Sequence, residues 1–330
     1  MPTAVPAIEL NIYRPFSPLL KDKNGEKRFE VLPLNSEEEF FSSKNYFVTA
    51  IVISTVGAAI FSFYFPAAVA LLGIGSWYLW SAAIVVINRA AENTGLEKTI
   101  HRLYALSMEI HAKVAAIGVF PLTLFSSYHG PQGNFNGRPI LLVNGYLGYG
   151  STWHYHRQKL AKAGLGPIYT MNVGSGQSIK TYAKHVERRI AQIQKETGRN
   201  DLALIGHSKG GLVSSYYAVH LAAKTKTKVT DVITIGSPLA GTSWADWALG
   251  SDASEMRTGS PFHRELRKEI EQHPKIRFSH IASLADEVVP LSSALLGKDP
   301  ERHFVLEDLG HLSLIFSSRV TNQICHWLAK

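Results

Sequence analysis

A pentapeptide near the middle of the chain has the residue types that nucleophilic catalysis by serine requires. Gly206, Ser208 and Gly210 follow the pattern G-x-S-x-G. An apolar run at 202–205 precedes them and predicts a buried strand, and a helical pattern follows at 212–223. A strand, a tight turn and a helix present a serine hydroxyl at a strained corner, where it can attack a carbonyl carbon. Ser208 is therefore the predicted nucleophile.

A serine nucleophile needs a general base and a carboxylate that orients this base. His311 follows the last predicted strand, 303–306, and is the candidate base. Asp286 follows the predicted strand 278–283 and is the candidate orienting acid. Both would lie at the carboxyl edge of a parallel sheet, where such sheets place their ligands. The chain order Ser208, Asp286, His311 is the usual one when the serine occupies this type of corner.

Two other acids stay open as the orienting residue, Glu287 and, less favoured, Asp246. The oxyanion formed during attack needs backbone N–H donors. We expect one from Lys209, the residue after the nucleophile, and one from Tyr146, in the loop after the first strand of the domain. No pattern typical of a metal site or a cofactor site is found. The remaining predicted substrate-binding residues surround these groups and comprise Asn144, Gly145, Leu147, His207, Trp244 and Trp247.

The composition limits the classes of partner. The chain has 330 residues with 34 Lys and Arg against 26 Asp and Glu, a formal charge of +8. The basic residues are scattered and no nucleic-acid-binding motif is present, so attraction to anionic lipid explains the charge better. The single cysteine, Cys325, excludes an intrachain disulfide and fits a reducing compartment.

An uncharged stretch at 46–87 is long enough for two membrane crossings. Pro66 divides it into candidate transmembrane helices at 46–65 and 67–87. Basic residues flank both ends and the tip has none, which predicts an integral hairpin with the catalytic domain on the cytoplasmic side. Two alternatives stay open, a hairpin that enters only one leaflet and a buried helical pair of a soluble protein.

Strand-like and helical runs alternate after residue 139, which predicts an α/β fold with a mostly parallel sheet flanked by helices. A long segment at 242–276 is predicted to be a helical lid insertion. It carries two tryptophans that would line an acyl-chain groove, contact the bilayer or simply pack the lid on the body. The predicted organisation is a polar arm at 1–45, the hairpin at 46–88, a helical linker region at 89–138 and a catalytic domain at 139–330.

Four motifs resemble those of the bacterial triacylglycerol lipases and of the related GPI inositol-deacylase-like serine hydrolases. They lie at 143–148, 206–211, 236–242 and 259–262, and the resemblance covers roughly 139–328. It implies an α/β-hydrolase fold and ester hydrolysis through an acyl-enzyme. Asn144 stands where these lipases commonly have histidine, and the carboxylates of their structural calcium site have no match in this sequence.

The sequence therefore predicts a membrane-anchored serine hydrolase that cleaves carboxylic esters of lipids, a lipase or esterase without a cofactor. Its predicted partners are the lipid ester and the membrane, with no nucleic acid and no identifiable protein partner. An acyltransferase or thioesterase would use the same three residues. A catalytically inert scaffold of the same fold at the membrane is the alternative from a different class.

Overall fold

A computed structural model describes most of the chain from residue 97 onward. The described residues are 20–21, 27–28, 97–120, 122, 130–146, 148–172, 176–248, 250–297 and 299–329. The predicted hairpin at 46–88 lies outside them, as does nearly all of the polar arm. In the part of the chain that is described, no helix is long and apolar enough to cross a membrane.

Within the described residues, six parallel strands form the central sheet in the order β4-β3-β5-β6-β7-β8. A separate antiparallel pair, β1 and β2, joins Leu20–Lys21 to Lys27–Arg28. The central strands are β3 (Ile140–Val143), β4 (Ile168–Met171), β5 (Asp201–His207), β6 (Lys228–Ile235), β7 (Arg277–Ser283) and β8 (His303–Leu306).

Helices follow most of these strands along the chain. Short 3₁₀ turns occur at Gly150–Trp153, Ser243–Asp246, Pro300–Arg302 and Ser313–Phe316. The α-helices are α1 (Glu97–Val119), α2 (His154–Lys162), α3 (Ile179–Thr197), α4 (Lys209–His220), α5 (Ser251–Met256), α6 (Pro261–Glu271), α7 (Leu291–Ala294) and α8 (Ser318–Leu328).

The sheet is apolar on both faces because helices cover both of them. Side chains alternate between the faces of a strand, so Leu141 and Val143 join one core cluster and Ile140 and Leu142 join the other. The first cluster also contains residues of α3, α4 and α6, and the second contains residues of α1, α2 and α8. Continuous apolar strands are expected for a parallel sheet covered on both sides. The observed architecture confirms the predicted fold class.

Helix α1 packs on the sheet domain mainly through small residues. Ala105, Ala112 and Ala116 are buried, whereas Leu106 and Ile117 are 54% and 64% exposed. Small side chains let the helix approach closely, and they also allow a charged residue of the same face, Glu109, to be buried at 3% exposure. The region predicted as a linker therefore contributes a helix that packs on the sheet domain.

The segment predicted as a lid, 242–276, is largely helical. It contains the 3₁₀ turn Ser243–Asp246 and the helices α5 and α6. Helix α6 buries Phe262, Leu266 and Ile270 on the body of the domain. The segment is thus a packed helical insertion after β6, and its function as a lid stays a prediction.

Candidate active site

Ser208 lies at a strained corner between β5 and α4. Its φ of 54° is in the left-handed region, which a residue with a side chain rarely adopts. A Cβ on Gly206 would lie 2.4 Å from backbone atoms of Gly210 and Gly211, and one on Gly210 would lie 2.2 Å from the Val143 carbonyl oxygen. Neighbouring backbone segments come so close to these two positions that only glycine fits, as the G-x-S-x-G pattern predicts.

Asp286 and His311 meet at the carboxyl edge of the sheet, after β7 and β8. The Nδ1–H group of His311 donates to Asp286 Oδ2 at 2.9 Å. Ser208 is connected to this pair through the end of β6. Its N–H donates to the carbonyl oxygen of Ile235, the last residue of that strand, at 2.8 Å. The next residue, Gly236, approaches both partners, and a Cβ there would be 3.0 Å from Asp286 Oδ2 and 3.3 Å from His311 Nδ1. Nδ1 is occupied by the carboxylate, so Nε2 is the ring nitrogen that can accept a proton.

Carboxylates set the protonation behaviour of His311. Burial alone lowers the pKa of an imidazole, but Asp286, aided by Glu109 and Glu287, raises the pKa of His311 above its ordinary value. Asp286 is fixed in turn, because its Oδ1 accepts hydrogen bonds from the N–H groups of Val288 and Val289, both at 2.8 Å. The carboxylate is thus oriented by the backbone before it orients the histidine.

His207 is a predicted substrate-binding residue, and its ring packs against that of His311. Its ring centroid lies 4.7 Å from that of His311, and its Nε2–H donates to the His311 carbonyl oxygen at 3.0 Å. Burial, followed by the nearby imidazole of His311, holds the pKa of His207 well below its ordinary range. A neutral His207 therefore supports the backbone of the histidine loop.

The loop after β3 lies against Ser208, the predicted nucleophile. A Cβ on Gly145 would be 2.8 Å from Ser208 Cβ, so only glycine allows this approach. The Asn144 amide donates to Gly148 O at 2.6 Å and to Gly145 O at 3.1 Å, which holds the loop in its turn. Tyr146 follows Gly145 directly, and Lys209 is the first residue of α4. Both predicted oxyanion donors therefore belong to segments that contact Ser208.

Lys209 forms a buried ion pair with Asp252. Its ammonium donates to Asp252 Oδ2 at 2.8 Å, and both side chains are fully buried. The ammonium also lies 5.1 Å from the ring centroid of Tyr146 and 4.3 Å from that of Tyr182. Asp252 belongs to α5, so this ion pair joins the corner at Ser208 to the helical insertion. Forty-three residues separate the partners, and no local pattern indicates the pairing.

We expect Asp252→Asn to lower the free energy of unfolding by about 3–5 kcal/mol, because it leaves the Lys209 ammonium buried without a counter-charge. The amide oxygen can still accept from the N–H groups of Gly176 and Ala253, as Asp252 Oδ1 does at 3.1 and 3.0 Å. The amide NH₂ group then replaces Oδ2, so the ammonium loses both its counter-charge and its hydrogen-bond acceptor. Urea unfolding followed by tryptophan fluorescence measures the change.

The matched control is Asp246→Asn, which breaks an exposed ion pair with Arg257 at 3.5 Å. An exposed pair contributes less than about 1 kcal/mol, so this control should unfold close to the wild type. If both variants lose a similar amount of unfolding free energy, burial of the Lys209–Asp252 ion pair does not explain the effect of Asp252→Asn.

The two predicted substrate-binding tryptophans lie at the surface of the insertion. Trp247 is 88% exposed, and Trp244 is 55% exposed and donates its indole N–H to Glu287 O at 2.7 Å. Leu147 lies outside the described residues. Among the described residues, no group of three or more His, Cys, Asp or Glu side chains is arranged to hold a metal ion.

The competing acid Glu287 does not occupy the orienting position. Its Oε2 accepts from the backbone N–H of His311 at 3.0 Å rather than from the imidazole. A second carboxylate, Glu109 of α1, reaches the same turn and was not among the predicted site residues. A glutamate within a helical pattern is ordinarily exposed, so only the packing of α1 reveals its position.

Residues 169–287 match the family model of the PGAP1-like alpha/beta domain. The match includes Ser208 and Asp286 and ends before His311. Two curated triacylglycerol lipases, from Pseudarthrobacter phenanthrenivorans and Burkholderia plantarii, are each 32% identical to this chain over 118 residues. Those alignments cover 33% of this chain and 35% and 32% of the two lipases. The chain thus spans about a third of the length of the curated relatives it matches.

Among solved structures, the mature lipase BlEst2 of Bacillus licheniformis superposes with a TM-score of 0.51 at 20% sequence identity. The superposition covers 60% of this chain and 94% of that lipase. At this identity the likeness concerns the fold alone. The superposition shows that the chain has an α/β-hydrolase fold similar to that of this lipase.

Proposed function

We propose that this α/β-hydrolase-fold protein is a serine hydrolase that cleaves carboxylic esters of lipids. Ser208 Oγ attacks the ester carbonyl carbon while His311 Nε2 takes the hydroxyl proton, and Asp286 stabilises the resulting imidazolium. The backbone N–H groups of Lys209 and Tyr146 hold the oxyanion. The imidazolium then gives its proton to the leaving alcohol, and an acyl-enzyme forms. Water attacks this intermediate by the same route and releases the carboxylic acid.

One observation carries the proposal, the hydrogen bond from His311 Nδ1 to Asp286 at the sheet edge beside the strained Ser208. A strained backbone at a serine is costly and is retained where it presents a reactive group. The lipid character of the substrate is supported by the triacylglycerol lipases among the relatives. The exposed side chains of Trp244 and Trp247 suit contact with acyl chains or a bilayer surface.

The membrane anchor is part of the proposal and is supported by the sequence at 46–87, which has no charged residue. An anchored enzyme would meet its substrate where lipids are concentrated, on the cytoplasmic side. Carbonate extraction of membranes containing the full chain tests the anchor, and release into the soluble fraction would contradict it. Protease protection in sealed vesicles then tests the side on which the catalytic domain lies.

Hydrolysis of p-nitrophenyl esters across acyl lengths by the full chain in detergent tests the activity. We expect hydrolysis of long acyl esters and covalent labelling by a fluorophosphonate probe on the peptide that contains Ser208. Hydrolysis of short esters alone would contradict the lipid substrate, and acyl products formed with an added alcohol would indicate acyl transfer. An unlabelled, inactive protein would contradict the proposal and favour the scaffold.

The raised pKa of His311 gives a prediction for the pH profile. Attack requires the neutral imidazole, so activity falls as the pH drops below the His311 pKa. Because the carboxylates raise the pKa of His311 above its ordinary value of 6.5, we expect the acidic limb of kcat/KM to have its midpoint above pH 6.5. Initial rates between pH 5 and 9 measure this midpoint. A midpoint below 6.5 would contradict the predicted electrostatics.

A further inference from the structure

Helix α1 precedes the central sheet in sequence, yet it contacts the turn that bears the candidate base. Glu109 accepts hydrogen bonds from the backbone N–H groups of Leu312, at 2.9 Å, and Ser313, at 2.9 Å, both through Oε2. These two residues follow His311 directly and lead into the 3₁₀ turn Ser313–Phe316. The carboxylate thus binds the free N–H groups at the start of that turn, as a capping residue does.

Gly310 makes this approach possible. A Cβ at Gly310 would lie 2.7 Å from Glu109 Oε2 and 2.9 Å from Glu287 Oε2. Two carboxyl groups therefore contact the residue that precedes His311. Glu287 holds the His311 N–H and Glu109 holds the next two N–H groups, so three successive backbone donors are bound by two acids.

The charged groups around Glu109 come from three elements. Lys113 of α1 lies 3.8 Å from Glu109 and 4.0 Å from Glu287, and its side chain is 59% exposed. Glu287 follows β7 and His311 follows β8. Burial, then the nearby charge of Glu287, raises the pKa of Glu109. When His311 is protonated, its imidazolium is a buried cation that lies near the carboxylates of Glu109 and Glu287. Its Nδ1–H group donates to Asp286.

We propose that Glu109 is a positioning residue for His311: it fixes the histidine turn and, with Glu287, supplies negative charge that stabilises the imidazolium. The catalytic site is then complete only when α1 is packed on the domain. This proposal rests on the proposed function, in which His311 is the base. Helix α1 is then the element that connects the chain before the central sheet to the candidate active site.

Two substitutions separate the hydrogen bonds from the charge. In Glu109→Gln, the amide oxygen can take the place of Oε2 and accept from both N–H groups. The charge is lost, together with the second contact of the Leu312 N–H, which lies 3.0 Å from Oε1. We expect a kcat within a few-fold of wild type and an acidic limb of kcat/KM shifted to lower pH, because the imidazolium loses a stabilising charge. Glu109→Leu loses the hydrogen bonds as well. We expect its kcat to fall about 100-fold with KM unchanged, since a small displacement of a catalytic group is sufficient for this.

The control is Glu271→Gln at the exposed end of α6, which should leave both the rate and the pH profile unchanged. A purely structural role would leave the acidic limb of Glu109→Gln at the wild-type pH, and that result would overturn the charge part of the proposal. A Glu109→Leu variant that is folded and has wild-type kcat would overturn the positioning part. If Glu109→Leu does not fold, the pH profile of Glu109→Gln still decides the charge part, and the kcat of Glu109→Ala, which also lacks the hydrogen bonds, decides the positioning part.

The wild type distinguishes failure of this proposal from failure of the proposed function. If the wild-type chain is not labelled by fluorophosphonate and does not hydrolyse esters, the proposed function is wrong, and His311 is then not a general base that Glu109 could position. A labelled, active wild type whose Glu109 variants match it in rate and pH profile would overturn only the role of Glu109.

Discussion

Replacing Ser208 with alanine is expected to reduce kcat for ester hydrolysis by about 10⁶-fold, because it removes the attacking oxygen of the proposed mechanism. The backbone N–H groups of Lys209 and Tyr146 remain, so a small residual activity above the rate in water is expected. The fold should be retained, since alanine keeps the Cβ that already lies at the corner. Initial rates with the p-nitrophenyl ester that the wild type prefers measure the loss.

Ser292→Ala is the matched control, because Ser292 is an exposed serine of α7 away from the corner. This control should retain the wild-type rate and fluorophosphonate labelling, whereas Ser208→Ala should lose both. If Ser208→Ala keeps more than about one hundredth of the wild-type kcat, another nucleophile acts and the assignment is wrong.

Asp286→Asn is expected to reduce kcat by about 10⁴-fold with little effect on stability. Asp286 Oδ1 accepts from the N–H groups of Val288 and Val289, both at 2.8 Å, so the oxygen of the new amide must take this position. The NH₂ group then faces His311 Nδ1, where Oδ2 stood at 2.9 Å. Nδ1 must accept from that amide, which leaves the proton on Nε2. An imidazole in this tautomer cannot take the proton of Ser208.

Asp246→Asn is the control for this change, because it makes the same substitution at an exposed acid that the sequence leaves as a weaker alternative. Its rate should match that of the wild type. Equal rates for Asp286→Asn and the wild type would show that Asp286 does not orient the base, and Glu287 would then be the acid to replace next.

The strands of the sheet follow closely from local sequence. The apolar runs at 140–143 and 303–306 predict strands with the observed bounds of β3 and β8, because such short runs can be recognised without tertiary context. The apolar run at 232–235 predicts a strand of four residues, whereas β6 begins at Lys228. Its polar first half is paired to β5, and Asp231 is neutralised by ion pairs with Arg138 and Arg277, both at 2.7 Å. Pairing between strands overrides a polar local pattern.

The first residue of α4 also differs from the one that the local sequence predicts. The helical pattern predicts a beginning at 212, whereas the helix begins at Lys209. Gly210 and Gly211 have low intrinsic helix propensity, so a local reading excludes them. They are helical here because the backbone must pass close to β3 and to Ser237, where a Cβ on Gly211 would lie 2.0 Å from Ser237 Oγ.

The serine corner, the order of Ser208, Asp286 and His311 along the chain, and the parallel α/β class are all predictable from the amino-acid sequence, because each depends on local pattern and on where strands end. The roles of the buried charges are visible only in the folded protein. Glu109 is 203 residues from Leu312 and Lys209 is 43 from Asp252 along the chain. A charged side chain is ordinarily solvated, and its burial depends on partners that folding brings to it from distant elements.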